Sequence, residues 1–243
     1  MYTAEERAAV SDRVVDWARQ DERVVAAAVI GSLARGGGDR WSDIDLTFAV
    51  ADGTEIADVL EDWTGRMRSE IAAVPLFDLP AGGAIYRVFL LPGCLQCDLS
   101  FAPETVFAPA GPEFRLLFGA AGPLQARTPR PEGDFFGYAV HHALRARFCI
   151  ERDRLWQAEY WIGSLRAEIL GLACRRRGLE PSHGRGFDQL PAAVLDPLRS
   201  TLVGALERPE LLRALKNAVE ALLREEPALS APIEDRLREL IRA

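Results

Sequence analysis

The stretch VIGSLARGGGDRWSDIDLTFAV, Val29 to Val50, carries the most specific signal in the chain. A short apolar run ends in the turn Gly31-Ser32, a glycine-rich loop follows, and two aspartates one residue apart open a second apolar run. In Asp43-Ile44-Asp45-Leu46-Thr47-Phe48 polar and apolar residues alternate. A strand here sends Asp43 and Asp45 to one face and Ile44, Leu46 and Phe48 to the other. Two carboxylates so placed repel each other unless a cation sits between them, so the segment is a candidate site as well as a fold element.

Working outward, Val24 to Ile30 is β-branched enough for a buried strand, and residues 3 to 20 read as a helix with Thr3 and Glu6 at capping-box spacing. A turn of helix over Leu33 to Arg35 leads into a loop, Gly36-Gly37-Gly38-Asp39. After the turn Ala51-Asp52-Gly53, the spacing of Ile56, Val59, Leu60, Trp63, Met67 and Ile71 predicts a helix over Glu55 to Ala73. Tyr86 to Leu91 and Leu95 to Phe101 read as strands joined through Pro92-Gly93. In the second, Gln96, Asp98 and Ser100 share one face, so Asp98 is a third carboxylate able to join the first two if the strands are neighbours. Taken alone, Asp98 reads as a solvent-facing strand residue.

From Pro103 to Asp134 proline and glycine dominate, with a short helix expected over Glu113 to Phe118, and TPRPEGD, 128 to 134, has linker composition. Beyond it the pattern is helical: Phe135 to Arg154, Leu155 to Arg177, Leu198 to Leu206, Leu211 to Arg224 and Ile233 to Ile241. The expected class is α+β, with a mixed sheet flanked by helices over residues 1–127, a linker over 128–134 and a helical bundle over 135–243.

Composition narrows the function. The 243 residues are 49% hydrophobic and 27% charged, ordinary for a folded protein, with a formal net charge of -7 that argues against wrapping nucleic acid. The start MYTAEERAAVSDRVV lacks an apolar core, and no run approaches the ~20 apolar residues of a membrane helix, so a cytoplasmic protein without membrane association is expected. Of four cysteines, Cys94 and Cys97 form a C-x-x-C on what reads as a strand, where residues three apart face opposite ways. Lys216 is the only lysine, so there is no Gly-Lys-Ser/Thr phosphate loop despite the glycines at 36 to 38. His141 and His142 are adjacent on a helix and diverge, which argues against joint metal binding. Arg177 and His183 have the R-x5-H spacing of a ribonuclease motif, but His183 follows Gly178 and Pro181, outside the helix.

Gly31-Ser32, Asp43-x-Asp45 and a strand-borne Asp98 together resemble the polymerase β-like nucleotidyltransferase superfamily. GSLARGGGDRWSDIDL is similar to its antibiotic-modifying branch, the lincosamide and aminoglycoside nucleotidyltransferases, which carry a helical domain behind the catalytic one. The resemblance spans residues 24 to 50 most clearly and extends through Phe101. It implies transfer of AMP from ATP to a hydroxyl of a small molecule. Asp43 and Asp45 would hold Mg²⁺, with Asp98 completing a two-metal site or acting as base. Gly31 and Ser32 would bind phosphate through backbone N–H groups and the Ser32 hydroxyl, and Gly31 would let a phosphate approach the backbone. Arg35 either reaches a phosphate or stands as a solvated surface arginine. The resemblance allows a second base, Glu159, among Trp156, Tyr160 and Trp161, whose bland reading is a solvated glutamate beside core tryptophans. A competing expectation is an antitoxin-like or protein-modifying nucleotidyltransferase that AMPylates a polypeptide partner. A homodimer is compatible with either.

Overall fold

The computed structural model describes residues 2–36, 41–125, 130–226 and 231–242. The chain divides into two compact units, Met1–Thr128 and Pro129–Ala243.

In the first unit, helix α1 (Ala4–Gln20) starts on a complete capping box: the Glu6 N–H donates to Thr3 Oγ1 and the Thr3 N–H to Glu6 Oε2. Strand β1 (Val24–Ile30) follows and ends in a 3-10 turn over Gly31–Arg35, while β2 (Ile44–Val50) begins beside the two aspartates. Residues 37–40 of the glycine-rich loop lie outside the described residues. Helix α2 (Ile56–Ile71) precedes strands β3 (Val74–Ala81), β4 (Ala84–Leu91) and β5 (Leu95–Pro103), and β6 (Phe114–Phe118) completes the unit.

The six strands form one mixed sheet in the order β3-β4-β5-β2-β1-β6. Only β2 and β5 pair in parallel, in unbroken register from Ile44↔Cys97 to Val50↔Pro103. Helices α1 and α2 cover one face, where Val14, Trp17, Trp63 and Met67 pack on Ile44, Leu46, Phe48, Phe89, Cys97, Leu99 and Phe101. Trp63 lies 5.0 Å from Phe48 and 5.1 Å from Phe101, so the two central strands are locked from behind by aromatic contact. The other face carries a smaller apolar group, Ala26, Ala28, Ala49 and Phe107, and the aspartates.

Two local expectations are corrected. Glu113 to Phe118 is not helical: Phe114–Phe118 is β6, paired antiparallel to β1 with Ile30↔Phe114 and Ala28↔Leu116. An apolar run of five residues has no intrinsic helix-or-strand preference, and here the open edge of β1 decides it. The segment VPLFDLPA, given no element from its composition, is the edge strand β3; Pro75 and Pro80 are tolerated because an edge leaves one row of N–H groups unused.

The second unit is helical: α3 (Glu132–Glu151), α4 (Leu155–Arg176), α5 (Ala192–Arg199), α6 (Arg208–Glu225) and α7 (Ala231–Leu240). Helix α3 opens at Glu132, so the last three residues of the linker-like stretch are helical; Pro131 as N-cap with Glu132 and Asp134 in the first turn suits a helix start. Ala139, Ala143 and Ala146 of α3 pack with Ile162, Leu165 and Ile169 of α4 and with Leu215 and Leu222 of α6. The helix expected from Leu198 to Leu206 instead ends at Arg199. The Ser200 carbonyl is taken by Arg213 and Asn217, and that of Thr201 by Arg166, which holds the chain in a turn. No helix among the described residues is long and apolar enough to cross a membrane.

Candidate metal and nucleotide site

The parallel pairing of β2 with β5 puts Asp45 directly opposite Asp98. Residues opposite each other on neighbouring strands project to one face, and Asp43 precedes Asp45 on that face. Asp43, Asp45 and Asp98 each offer a carboxylate oxygen, all within 4.8 Å of one another and all partly buried. No other group of three such ligand residues occurs among the described residues.

The electrostatics follow from this crowding. Burial pushes the Asp98 carboxyl above the usual aspartate range; the Gln96 amide, donating to both its oxygens at 3.0 and 3.1 Å, pulls it down, and the Asp43 charge pushes it up again. The net shift is upward. An all-oxygen, anionic donor set of this kind suits a hard cation such as Mg²⁺.

Gly31 is part of this geometry in a way its sequence did not disclose. Its φ is +70°, and a Cβ built on it would lie 2.6 Å from Asp45 Oδ2, so the bare glycine backbone is the surface against which the Asp45 carboxylate packs. Its N–H donates to the Glu113 carbonyl at 3.1 Å. The Gly31 amide, one of the expected phosphate donors, is thus bonded to the Glu113 carbonyl, and the missing Cβ leaves room for the Asp45 carboxylate. Ser32 is exposed on the same 3-10 turn. Arg35 forms an ion pair with Glu113 at 3.5 Å; both are substantially exposed, so the pair holds Arg35 only weakly.

Two residues escaped the sequence reading. The Ser42 carbonyl, immediately before Asp43, accepts from Arg7 Nη1 at 3.1 Å and from the Tyr2 hydroxyl at 3.3 Å. Arg7 is only 7% exposed. The N-terminus of α1 thus pins the residue that sets where Asp43 stands. The one available signal is an arginine on the apolar side of an amphipathic helix, a pattern that usually means nothing more than a snorkelling side chain.

The remaining candidates lie each within its own unit. Glu159, partly buried, lies on α4 of the second unit. Of the two tryptophans expected in the core, Trp156 is exposed, as is Tyr160, whereas Trp161 is partly buried against the helical core and packs its ring against His142 at 5.1 Å and His141 at 5.9 Å. The two histidines share that aromatic cluster. Cys94 is exposed, whereas Cys97 is buried against α1 and α2; burial, then Asp98, Asp45 and Asp43, push its thiol up, away from the thiolate that redox or metal chemistry uses. Arg177 bonds to the Ala173 carbonyl and Glu225, and His183 sits in a separate 3-10 turn at φ +55°.

No protein-family model and no curated protein matches the chain. Among solved structures it is similar to an aminoglycoside 6-adenyltransferase from Bacillus subtilis at 13% identity, covering 95% of each chain with a TM-score of 0.42. It is also similar to a nucleotidyltransferase-like protein from Exiguobacterium sibiricum at 12% identity, covering 96% of this chain and 78% of that one with a TM-score of 0.41.

Proposed function

We propose that the chain is a nucleotidyltransferase that moves AMP from ATP to a hydroxyl of a small molecule, with an aminoglycoside or lincosamide antibiotic as the acceptor. Residues 1–127 would form the catalytic domain and 135–243 the acceptor-binding helical domain. The observation that supports it best is the convergence of Asp43, Asp45 and Asp98 on one face of the parallel β2–β5 pair, beside Gly31.

In the proposed reaction the acceptor oxygen attacks the α-phosphorus, the bond from that phosphorus to the bridging oxygen breaks, and pyrophosphate leaves with the bond's electron pair. Asp43 and Asp45 would hold Mg²⁺, and Asp98 would complete a two-ion site. Bound there, the cation supplies charge neutralisation for the triphosphate. Alternatively, Asp98 would take the acceptor proton, its burial making it a stronger base than an ordinary aspartate. Glu159 is the alternative base. Ser32 would donate to a phosphate oxygen, and Arg35 would do so after releasing Glu113.

Pyrophosphate release from ATP and Mg²⁺ across a panel of aminoglycosides and lincosamides tests the reading. Turnover with at least one acceptor is expected, falling at least about a hundredfold in Asp43→Asn or Asp45→Asn. Full activity in either variant would refute it.

A further inference from the structure

Gln96 holds the third carboxylate in a way that bears on which ion the site takes. It lies two residues before Asp98 on β5, on the same face, and it precedes Cys97 as Asp43 precedes Ile44, the strand partner of Cys97. Its Nε2 donates to Asp98 Oδ1 at 3.0 Å and to Oδ2 at 3.1 Å. A donor almost equidistant from both oxygens stands astride the carboxylate. Gln96 itself is exposed, so packing does not force the contact; the charge of Asp98 draws the amide in.

Astride the carboxylate is also where a cation bound through both oxygens must sit. Calcium binds carboxylates through one oxygen or two, at about 2.3–2.6 Å and in loose geometry. Set at that distance from both Asp98 oxygens, an ion would overlap the amide nitrogen of Gln96. Magnesium is smaller and keeps near-octahedral angles, which the narrow bite of one carboxylate does not span, so it takes a single oxygen. One oxygen from each of Asp43, Asp45 and Asp98 is what the cluster offers, all within 4.8 Å of one another.

Resting on the metal site of the transferase reading above, we infer that Gln96 makes this site selective for Mg²⁺ over Ca²⁺: its amide closes the two-oxygen mode of Asp98 and leaves the one-oxygen mode open. Gln96 is a positioning residue that acts through Asp98. A lysine or arginine in its place would neutralise the charge that the ion needs, whereas a neutral amide takes the position and leaves the charge intact.

The test titrates the full chain with Mg²⁺ and with Ca²⁺, each in competition with Mn²⁺ read by electron paramagnetic resonance, in the wild type, Gln96→Ala and Gln96→Ser. To take both oxygens, Ca²⁺ must break a hydrogen bond to a charged group, which is worth about tenfold in an equilibrium constant. Both variants should therefore bind Ca²⁺ about tenfold more tightly than the wild type, with Mg²⁺ affinity changed less than about threefold. The Ca²⁺-induced infrared difference spectrum should show the closely spaced carboxylate stretches of two-oxygen binding in the variants and not in the wild type. Thermal melting checks that the variants stay folded. An unchanged ratio of Ca²⁺ to Mg²⁺ affinity overturns the inference. So does equal tightening of both ions, which makes the amide a general competitor, or equal loss of both, which makes it a support for the fold. The transferase reading fails on a different result, ion binding that is absent from the wild type or indifferent to Asp43→Asn and Asp45→Asn, and the role of Gln96 falls with it.

Discussion

Replacing Gly31 by alanine separates two roles that glycines share in this turn. Gly31 and Gly36 both have φ +70°, so an alanine at either meets the same backbone penalty, about 1–2 kcal/mol. They differ in what the new methyl touches. At Gly36 nothing lies within 4 Å, whereas at Gly31 the methyl would stand 2.6 Å from Asp45 Oδ2, about 0.8 Å inside an ordinary contact, given the 3.4 Å at which such contacts begin. Asp45 sits on a strand hydrogen-bonded on both sides, so the side chain and not the backbone must move. If Asp45 holds a cation as proposed, a displacement approaching 1 Å costs on the order of a hundredfold in rate. Both variants should therefore melt a few degrees below the wild type. Only Gly31→Ala should lose Mn²⁺ affinity, read by electron paramagnetic resonance, and pyrophosphate release. Equal Mn²⁺ binding in the two variants would refute the argument that Gly31 is glycine for the sake of Asp45.

Three further outcomes are expected. Because burial raises the Asp98 pKa, the fold favours its protonated form: that stability is fully present below the ordinary value of 3.8 and is lost as pH rises through the higher folded value. Asp98→Asn should then melt above the cation-free wild type at pH 7 and equal to it near pH 3, and should lose most of the Mg²⁺-induced stabilisation, about 2.7 kcal/mol at a hundredfold excess over Kd in the wild type. Arg7→Met should cost about 1.5–3 kcal/mol by chemical denaturation through loss of the bond to the Ser42 carbonyl, and should lower kcat more than it raises KM. Iodoacetamide should add one label to the native protein, at Cys94, and four after denaturation, by intact mass.

The residue alternation across Asp43 to Phe48 and the capping box at Thr3 were legible because strand pleat and helix capping are local: neighbours in the chain settle them. Locality also explains the errors. FRLLF became a strand because β1 had an unpaired edge, and VPLFDLPA became one because a sheet edge forgives proline, and neither condition is written in the segment itself.

By itself, then, the sequence determined that two aspartates share a strand face, that a Gly-Ser turn precedes them and that Asp98 points to the polar side of its own strand. Only the tertiary structure decided that β5 lies beside β2, in parallel and in the register that sets Asp98 against Asp45. Pairing between strands some fifty residues apart depends on burying Phe48, Leu99 and Phe101 together under α1 and α2, a collective packing that no local pattern encodes. The same packing turned Gly31 toward Asp45, committed its amide to Glu113, and brought Arg7 across to the carbonyl before Asp43.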